Sequence, residues 1–141
     1  MTTIQNLRFN NIQDNSQCIN LDNCETKQNV IIEDSTFSNI LNARCIMTTT
    51  ETSTFQTIVR NCNFIDNSIR KSTRGEYISG CGASILCQHQ GSLVVTKCNF
   101  TNNMAEANGG AVYAETKAIE LNMLRFELCS AAPYEEDGHP L

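Results

Sequence analysis

Five phenylalanines, each preceded by a short apolar run, recur at a nearly constant interval along the 141 residues of the chain. Successive members of the set lie 28, 27, 36 and 26 residues apart. The long interval equals the common period plus an insertion of about nine residues, and a period near 27 indicates a fold of stacked copies of one unit. The set comprises Phe9, Phe37, Phe64, Phe100 and Phe126.

The residues before each phenylalanine repeat the pattern of a strand with one buried face. Apolar or β-branched residues stand seven and five positions before it, for example Val30 and Ile32 before Phe37. This period of two predicts a β-strand. A second apolar patch follows about 9–13 residues after most of the phenylalanines, and Asn, Asp, Ser, Thr and Gly fill the intervals, which predicts turns.

Two repeat architectures fit this period. The segments 59–67 and 95–103 match the frame of a leucine-rich repeat, which would return through a helix. The return segments 16–28, 44–56 and 108–117 are instead rich in Thr, Gly and β-branched residues, which favours further strands. We therefore predict an all-β protein, a parallel β-helix of about five coils, with the leucine-rich repeat as the alternative. The helix is predicted over 1–129 with an insertion loop near 69–80, and 130–141 as a tail or incomplete cap.

In a parallel β-helix equivalent residues lie on top of each other, about 4.8 Å apart. The phenylalanines would then form a column in the interior. Asparagines would pass hydrogen bonds along the stack at a turn, because an amide has both donors and an acceptor. They are Asn39 and Asn102, two residues after a phenylalanine, and Asn67 and Asn103, three residues after one.

Two short motifs resemble those of a known family. F-x-x-N stands at 64–67 and 100–103, and the second copy is followed by Gly109, Gly110, Ala111 and a valine. This pair resembles the F-x-x-N and G-G-A motifs of the chlamydial polymorphic outer-membrane proteins, which are similar to surface proteins of trichomonads. The resemblance implies a right-handed, pectate-lyase-like β-helix that acts in adhesion outside the cell. The first two coils carry Ile in place of the Asn, and the third has a weakened glycine motif at 80–83.

Charge and hydropathy limit the function classes. The net charge of −5 argues against nucleic-acid binding, and no apolar run is long enough to span a bilayer. The first residues do not form a signal peptide. We expect a segment of a longer secreted or cell-surface protein, and an intracellular location stays open.

Two groups of residues are candidate contact surfaces for a host or cell-surface protein or a glycan. Arg70, Lys71 and Arg74 form the only basic cluster of the chain, although a solvated loop is the default interpretation of such a cluster. Ile31, Ile58 and Val94 would form an apolar stripe on the outer face. The insertion at 69–80 is a candidate cover for that stripe. Uncapped ends of the β-helix would expose strand edges, so end-to-end self-association is also expected.

No catalytic, cofactor or metal site is predicted. The eight cysteines contain no C-x-x-C pair, and we expect buried free thiols. Cys87 and His89 could share a strand face, but the flanking glutamines and Gly91 favour a turn there. Glu33 and Arg60 occupy equivalent positions, which favours an ion pair. We therefore expect a non-enzymatic, adhesin-like segment, with a carbohydrate-active (pectin lyase-like) β-helix and a leucine-rich-repeat interaction module as alternatives.

Overall fold

A computed structural model describes residues 1–13, 17–22, 29–50, 54–70 and 80–131. These residues form strands and turns without any helix, which confirms the all-β prediction. The strands are β1 (Thr2–Gln5), β2 (Arg8–Asn10), β3 (Gln17–Asp22), β4 (Val30–Glu33), β5 (Thr36–Ser38), β6 (Arg44–Thr50), β7 (Gln56–Arg60), β8 (Asn63–Ile65), β9 (Ser68–Ile69), β10 (Ile85–Thr96), β11 (Asn99–Thr101), β12 (Met104–Ala105), β13 (Val112–Asn122), β14 (Arg125–Glu127) and β15 (Ser130–Ala131).

The strands pair only in parallel, in three sheets. The long sheet has the order β1-β4-β7-β10-β6-β3, with β13 added on β10. The Phe sheet has the order β14-β11-β8-β5-β2, and the short sheet contains β15, β12 and β9. Each pass of the chain through the three sheets makes one turn beside the previous one. The molecule is thus a parallel β-helix of four turns and the start of a fifth.

The return segments are strands of the long sheet. β3, β6 and the first half of β10 pair in register, as in Ile19 with Ile46 and Ile46 with Ile85. The leucine-rich-repeat alternative, which needs a helix there, is therefore wrong. The turn expected around His89 is also wrong, because β10 continues as a strand from the return segment into the next turn. It contains only an irregularity between His89 and Ser92, opposite Thr116 and Ala118 of β13.

The five phenylalanines form the predicted column. Neighbouring rings are stacked, with centroids 5.1, 5.0, 4.8 and 5.0 Å apart from the first pair to the last. Phe37, Phe64 and Phe100 have no solvent exposure, whereas Phe126 is 52% exposed at the end of the column. The interior is otherwise filled by aliphatic residues and cysteines, and Ile69 and Ala105 of the short sheet form a second, small cluster with Ala83.

Two corners of each turn use a left-handed backbone. The residue two positions after each phenylalanine has φ between 52° and 56°, and the residue three positions before it has φ between 51° and 58°. A left-handed residue turns the chain without a loop, and Asn and Asp adopt this conformation more readily than other residues with a side chain. The first set comprises Asn11, Asn39, Asp66, Asn102 and Leu128, and the second comprises Asn6, Asp34, Asn61, Lys97 and Met123.

The glycine motif lies where the chain re-enters the long sheet. Counted back from the Ile85–Val112 pair, Gly82 is the equivalent of Gly109, and both have φ of +63°. A Cβ atom on Gly109 would lie 2.3 Å from the carbonyl oxygen of Val112, so only glycine fits. The motif of the third turn is therefore Gly82-Ala83-Ser84, which places its first glycine in line with Gly109.

The extra residues of the long repeat fall between β9 and β10. Residues 71–79 of the predicted insertion, with Lys71 and Arg74, lie outside the described residues, as do residues 132–141 of the predicted tail. Ser130 and Ala131 pair with Met104 and Ala105, so the repeat continues through residue 131.

Candidate functional site

The predicted apolar stripe lies on the outer face of the long sheet. Ile31 pairs with Ile58, and Ile58 pairs with Val94, on three successive turns. The residues on either side of each member in its strand belong to the interior, for example Val30 and Ile32 beside Ile31. Because alternate residues of a strand face opposite sides, these three side chains face outward in one row. This confirms the predicted arrangement of the stripe.

The stripe is only partly exposed. Ile31 is 7% exposed, and Ile58 and Val94 are half-buried. The row ends at exposed polar residues, Thr3 on the first turn and Glu120 on the fifth. It is therefore a short apolar strip along the helix axis, bounded at both ends.

Two polar rows flank the stripe. On one side, the Asn29 amide donates to Gln56 over 3.5 Å, and the Gln56 amide donates to the Ser92 hydroxyl over 3.1 Å. We call this row the amide rim. On the other side, Arg60 Nε donates to Glu33 Oε2 at 2.5 Å, which confirms the predicted ion pair. We call that pair the charged rim.

The charged rim opens into a polar cleft of about 450 Å³ at the corner between the long sheet and the Phe sheet. The cleft contains two carboxylates and two cations, so its formal charges balance. Within it, the Asn61 amide donates to the Asp34 carboxylate. The Arg60 side chain is 47% exposed, whereas that of Glu33 is 15% exposed. The lining residues are Glu33, Asp34, Arg60, Asn61, Thr96 and Lys97.

A second apolar row on the long sheet was not predicted. Met47 pairs with Leu86, and Leu86 pairs with Tyr113. Their neighbours Ile46 and Ile85 belong to the core, so this row also faces outward. Leu86 is nonetheless fully buried. The sequence carried a signal for this row: in the second apolar patch of each repeat, the residue after an inward-facing residue is also apolar, and alternation places it on the outer face.

Arg70 lies away from the stripe. It is exposed, follows β9 of the short sheet, and lines a separate cleft of about 250 Å³ together with Gln13, Leu41, Asn42 and Ser68. The structure therefore does not bring Arg70 together with the stripe, which belongs to the long sheet. Lys71 and Arg74 are outside the described residues.

The seven described cysteines are free thiols, as expected for small hydrophobic side chains in the core. Burial raises the pKa of Cys18 to about 11 and that of Cys87 to about 12. A hydrogen bond with the Cys98 thiol, together with burial, raises the pKa of Cys62. Cys18, Cys62 and Cys87 therefore remain protonated at neutral pH, whereas a cysteine nucleophile needs a thiolate. The hydrogen bond with Cys62 lowers the pKa of the buried Cys98.

Among the described residues, no three His, Cys, Asp or Glu side chains are grouped as metal ligands would be. The same part of the chain contains no helix long and apolar enough to cross a membrane. No protein-family model, curated protein or solved structure matches the chain.

Proposed function

We propose that the chain is a non-enzymatic, adhesin-like β-helical segment that binds a protein or glycan through the outer face of the long sheet. The observation that carries this proposal is the in-register row of Ile31, Ile58 and Val94 between two polar rims. The similarity of the F-x-x-N and G-G-A motifs to polymorphic outer-membrane proteins supports a role at the cell surface, within a longer chain.

This face combines an apolar centre with polar edges, as protein-binding surfaces do. A contact region typically has an apolar centre and a polar rim that remains accessible to water. Here the half-buried Ile58 and Val94 form the centre, while the amide rim and Arg60 provide donors and acceptors at its edges. The rims are already hydrogen-bonded within the chain, so binding would not require them to reorganise.

Substitution of the stripe tests this proposal. We expect Ile58→Ser and Val94→Ser to reduce binding in cell-adhesion and glycan-array assays, because each removes apolar contact area without changing charge. Ile65→Ser is the matched control, since Ile65 is 36% exposed on the Phe sheet, away from the stripe. Unchanged binding by both stripe variants, with their fold intact by circular dichroism, would contradict the proposal.

The polar cleft favours one alternative, a carbohydrate-active β-helix. Glu33 and Asp34 place two carboxylates beside two cations in a cleft large enough for a sugar unit. Paired carboxylates can act as general acid and base on glycosides. This alternative requires cleavage of pectin, alginate or a related polymer that is lost in Glu33→Gln and Asp34→Asn. No cleavage of such polymers by the unmodified chain would exclude it for these substrates.

A further inference from the structure

The sequence contains a single Asn-Gly dipeptide, Asn108-Gly109, which lies at the corner where the fourth turn re-enters the long sheet. Asparagine is one of the thermally labile residues. Its side-chain amide can be attacked by the backbone nitrogen of the next residue, and a side chain on that residue hinders the approach. Glycine has no side chain, so this dipeptide offers the least hindrance to the attack.

The fold leaves the reacting groups of this dipeptide accessible. The Asn108 side chain is exposed, and its amide makes one weak bond, to the Cys81 thiol of the third turn at 4.0 Å. The backbone N–H of Gly109 has no hydrogen-bond partner within the described part of the chain. In that part of the chain, no strong hydrogen bond therefore keeps the Gly109 nitrogen away from the Asn108 amide.

Asn67-Ser68 shows the opposite arrangement on the third turn. Asn67 has no solvent exposure, and its amide donates to the carbonyl of Phe37 at 3.2 Å and to Asn103 Oδ1 at 2.9 Å. The Ser68 nitrogen, which would have to attack, donates to the carbonyl of Ile40 at 2.9 Å. Attack on Asn67 would have to disrupt these buried hydrogen bonds, so the fold protects it.

We propose that Asn108 is a site of spontaneous modification, at which the folded chain converts asparagine to isoaspartate. The Gly109 nitrogen forms a bond to Cγ of Asn108, the bond between Cγ and Nδ2 breaks, and ammonia leaves with the proton of the attacking nitrogen. The product of this step is a succinimide ring. The proposal is independent of the stripe, because the reaction needs no partner other than water.

Water opens the succinimide at either of its two carbonyls. Addition at the former side-chain carbonyl breaks its bond to the Gly109 nitrogen and gives aspartate. Addition at the main-chain carbonyl breaks the original peptide bond and gives isoaspartate, in which the chain continues through the former side chain of residue 108. In both cases the net reaction replaces ammonia by water, without oxidation or reduction.

Isoaspartate does not fit this corner. It lengthens the main chain by one methylene group and adds a negative charge. Gly109 has φ of +63°, and even a Cβ atom there would lie 2.3 Å from the carbonyl oxygen of Val112. The carbonyl of Asn108 accepts a hydrogen bond from Gly82 N at 3.0 Å, which joins the third and fourth turns. We expect isoaspartate to disturb this bond and to lower the urea concentration at which the chain unfolds.

Incubation of the full chain in mildly alkaline buffer, folded and in urea, tests the proposal. Trypsin then releases the peptides 61–70 and 98–117, which contain Asn67 and Asn108. Mass spectrometry detects the gain of about 1 Da that accompanies the replacement of NH₂ by OH. Electron-transfer fragmentation identifies the residue and distinguishes isoaspartate from aspartate.

We expect Asn108 to react first in the folded chain, at a rate within about tenfold of its rate in urea, because the fold holds its reacting groups only weakly. Asn67 is expected to react in urea and to be slowed by about a hundredfold or more on folding, because its buried site must open first.

Three results would overturn the proposal. The first is an Asn108 that reacts in urea but stays intact in the folded chain, or that yields aspartate alone. The second is earlier reaction of the folded chain at Asn99, Asn102 or Asn103, which lie in the same peptide. The third is an Asn67 that reacts as fast as Asn108 in the folded chain, because hydrogen bonding would then not select the site.

Two variants serve as matched controls. Asn108→Gln keeps the amide but forms a larger ring, so we expect it to lose no ammonia at this position over the same incubation. Asn108→Asp adds the same charge as isoaspartate without lengthening the main chain. We expect the modified chain, separated by ion exchange, to unfold at a lower urea concentration than Asn108→Asp. Equal midpoints would contradict the expected effect on the corner.

Discussion

Asn67 and Asn103 have no solvent exposure, although asparagine side chains usually remain at the surface. The Asn67 amide donates to the carbonyl of Phe37 at 3.2 Å and to Asn103 Oδ1 at 2.9 Å. Its own Oδ1 accepts from Ile40 N at 3.1 Å. The Asn103 amide repeats the pattern one turn later by donating to the carbonyl of Phe64 at 3.0 Å. These side chains replace water as partners of the backbone inside the corner.

Replacing Asn67 is therefore expected to lower the stability of the protein more than replacing an exposed asparagine. In Asn67→Ala the buried amide of Ile40 loses the acceptor that Asn67 provides, and the carbonyl of Phe37 loses the hydrogen bond that Asn67 donates. An unsatisfied buried group costs about 1–3 kcal/mol, so we expect the free energy of unfolding in urea to fall by about 1–3 kcal/mol. Asn99→Ala is the control, because Asn99 is exposed and makes one ladder bond with Asn63 at 2.9 Å. Equal losses in the two variants would refute this role.

The repeated F-x-x-N pattern predicted that these asparagines occupy a fixed place, but not that they point inward. A continuous strand would turn the residue three positions after an inward phenylalanine toward solvent. The left-handed residue between them, Asp66 or Asn102, breaks this alternation and returns the next side chain to the interior. The alternation rule therefore fails at the corner and holds again beyond it.

The corner before the Phe sheet shows how stacking overrides local preference. Asn6, Asp34 and Asn61 suit a left-handed backbone, but Lys97 and Met123 adopt it with φ of 53° and 51°. The backbone N–H of each of the first four residues donates a hydrogen bond to a carbonyl of the next turn, as Lys97 N does to Asn122 O at 3.0 Å. The sequence did not predict this corner because two of its five members are not turn residues.

Lys97 is consequently a site where a substitution should stabilise the protein. A left-handed backbone costs roughly 1–2 kcal/mol for an ordinary L-residue and less for asparagine. We expect Lys97→Asn to raise the free energy of unfolding by about 0.5–1 kcal/mol in urea titrations.

Lys97→Ala is the control for that gain. It removes the same charge and the exposed side chain but keeps an ordinary residue in the left-handed conformation. We expect its stability to stay within about 0.5 kcal/mol of the unmodified chain. If Lys97→Ala were as stabilising as Lys97→Asn, the effect would come from charge rather than from the backbone.

The interactions that stabilise the whole molecule join neighbouring turns along the axis of the β-helix. Each strand pairs with its equivalents on neighbouring turns, and the phenylalanine rings contact one another in the same order. The period of the sequence predicted this stacking, because equivalent residues can keep one environment only if they lie above one another. The sequence could not reveal which outward apolar residues stay exposed, because the alternation of a strand fixes the face of a residue and not its burial, and Leu86 is fully buried on the outward face.

In such a one-dimensional molecule the effect of a substitution depends on its position along the axis, because each turn interacts with its nearest neighbours. Phe64 is fully buried between Phe37 and Phe100, at 5.0 and 4.8 Å, whereas Phe126 contacts one ring and is 52% exposed. We expect Phe64→Ala to lower the free energy of unfolding by about 3–5 kcal/mol, the usual cost of a buried ring.

Phe126→Ala removes the same atoms from the end of the column, so we expect a loss of about 1 kcal/mol or less. Urea unfolding of both variants measures the difference. Similar losses at the two sites would mean that stability is not distributed by nearest-neighbour stacking along the axis. A larger loss for Phe64→Ala would instead show that the interior of the column, and not its open end, holds the turns together.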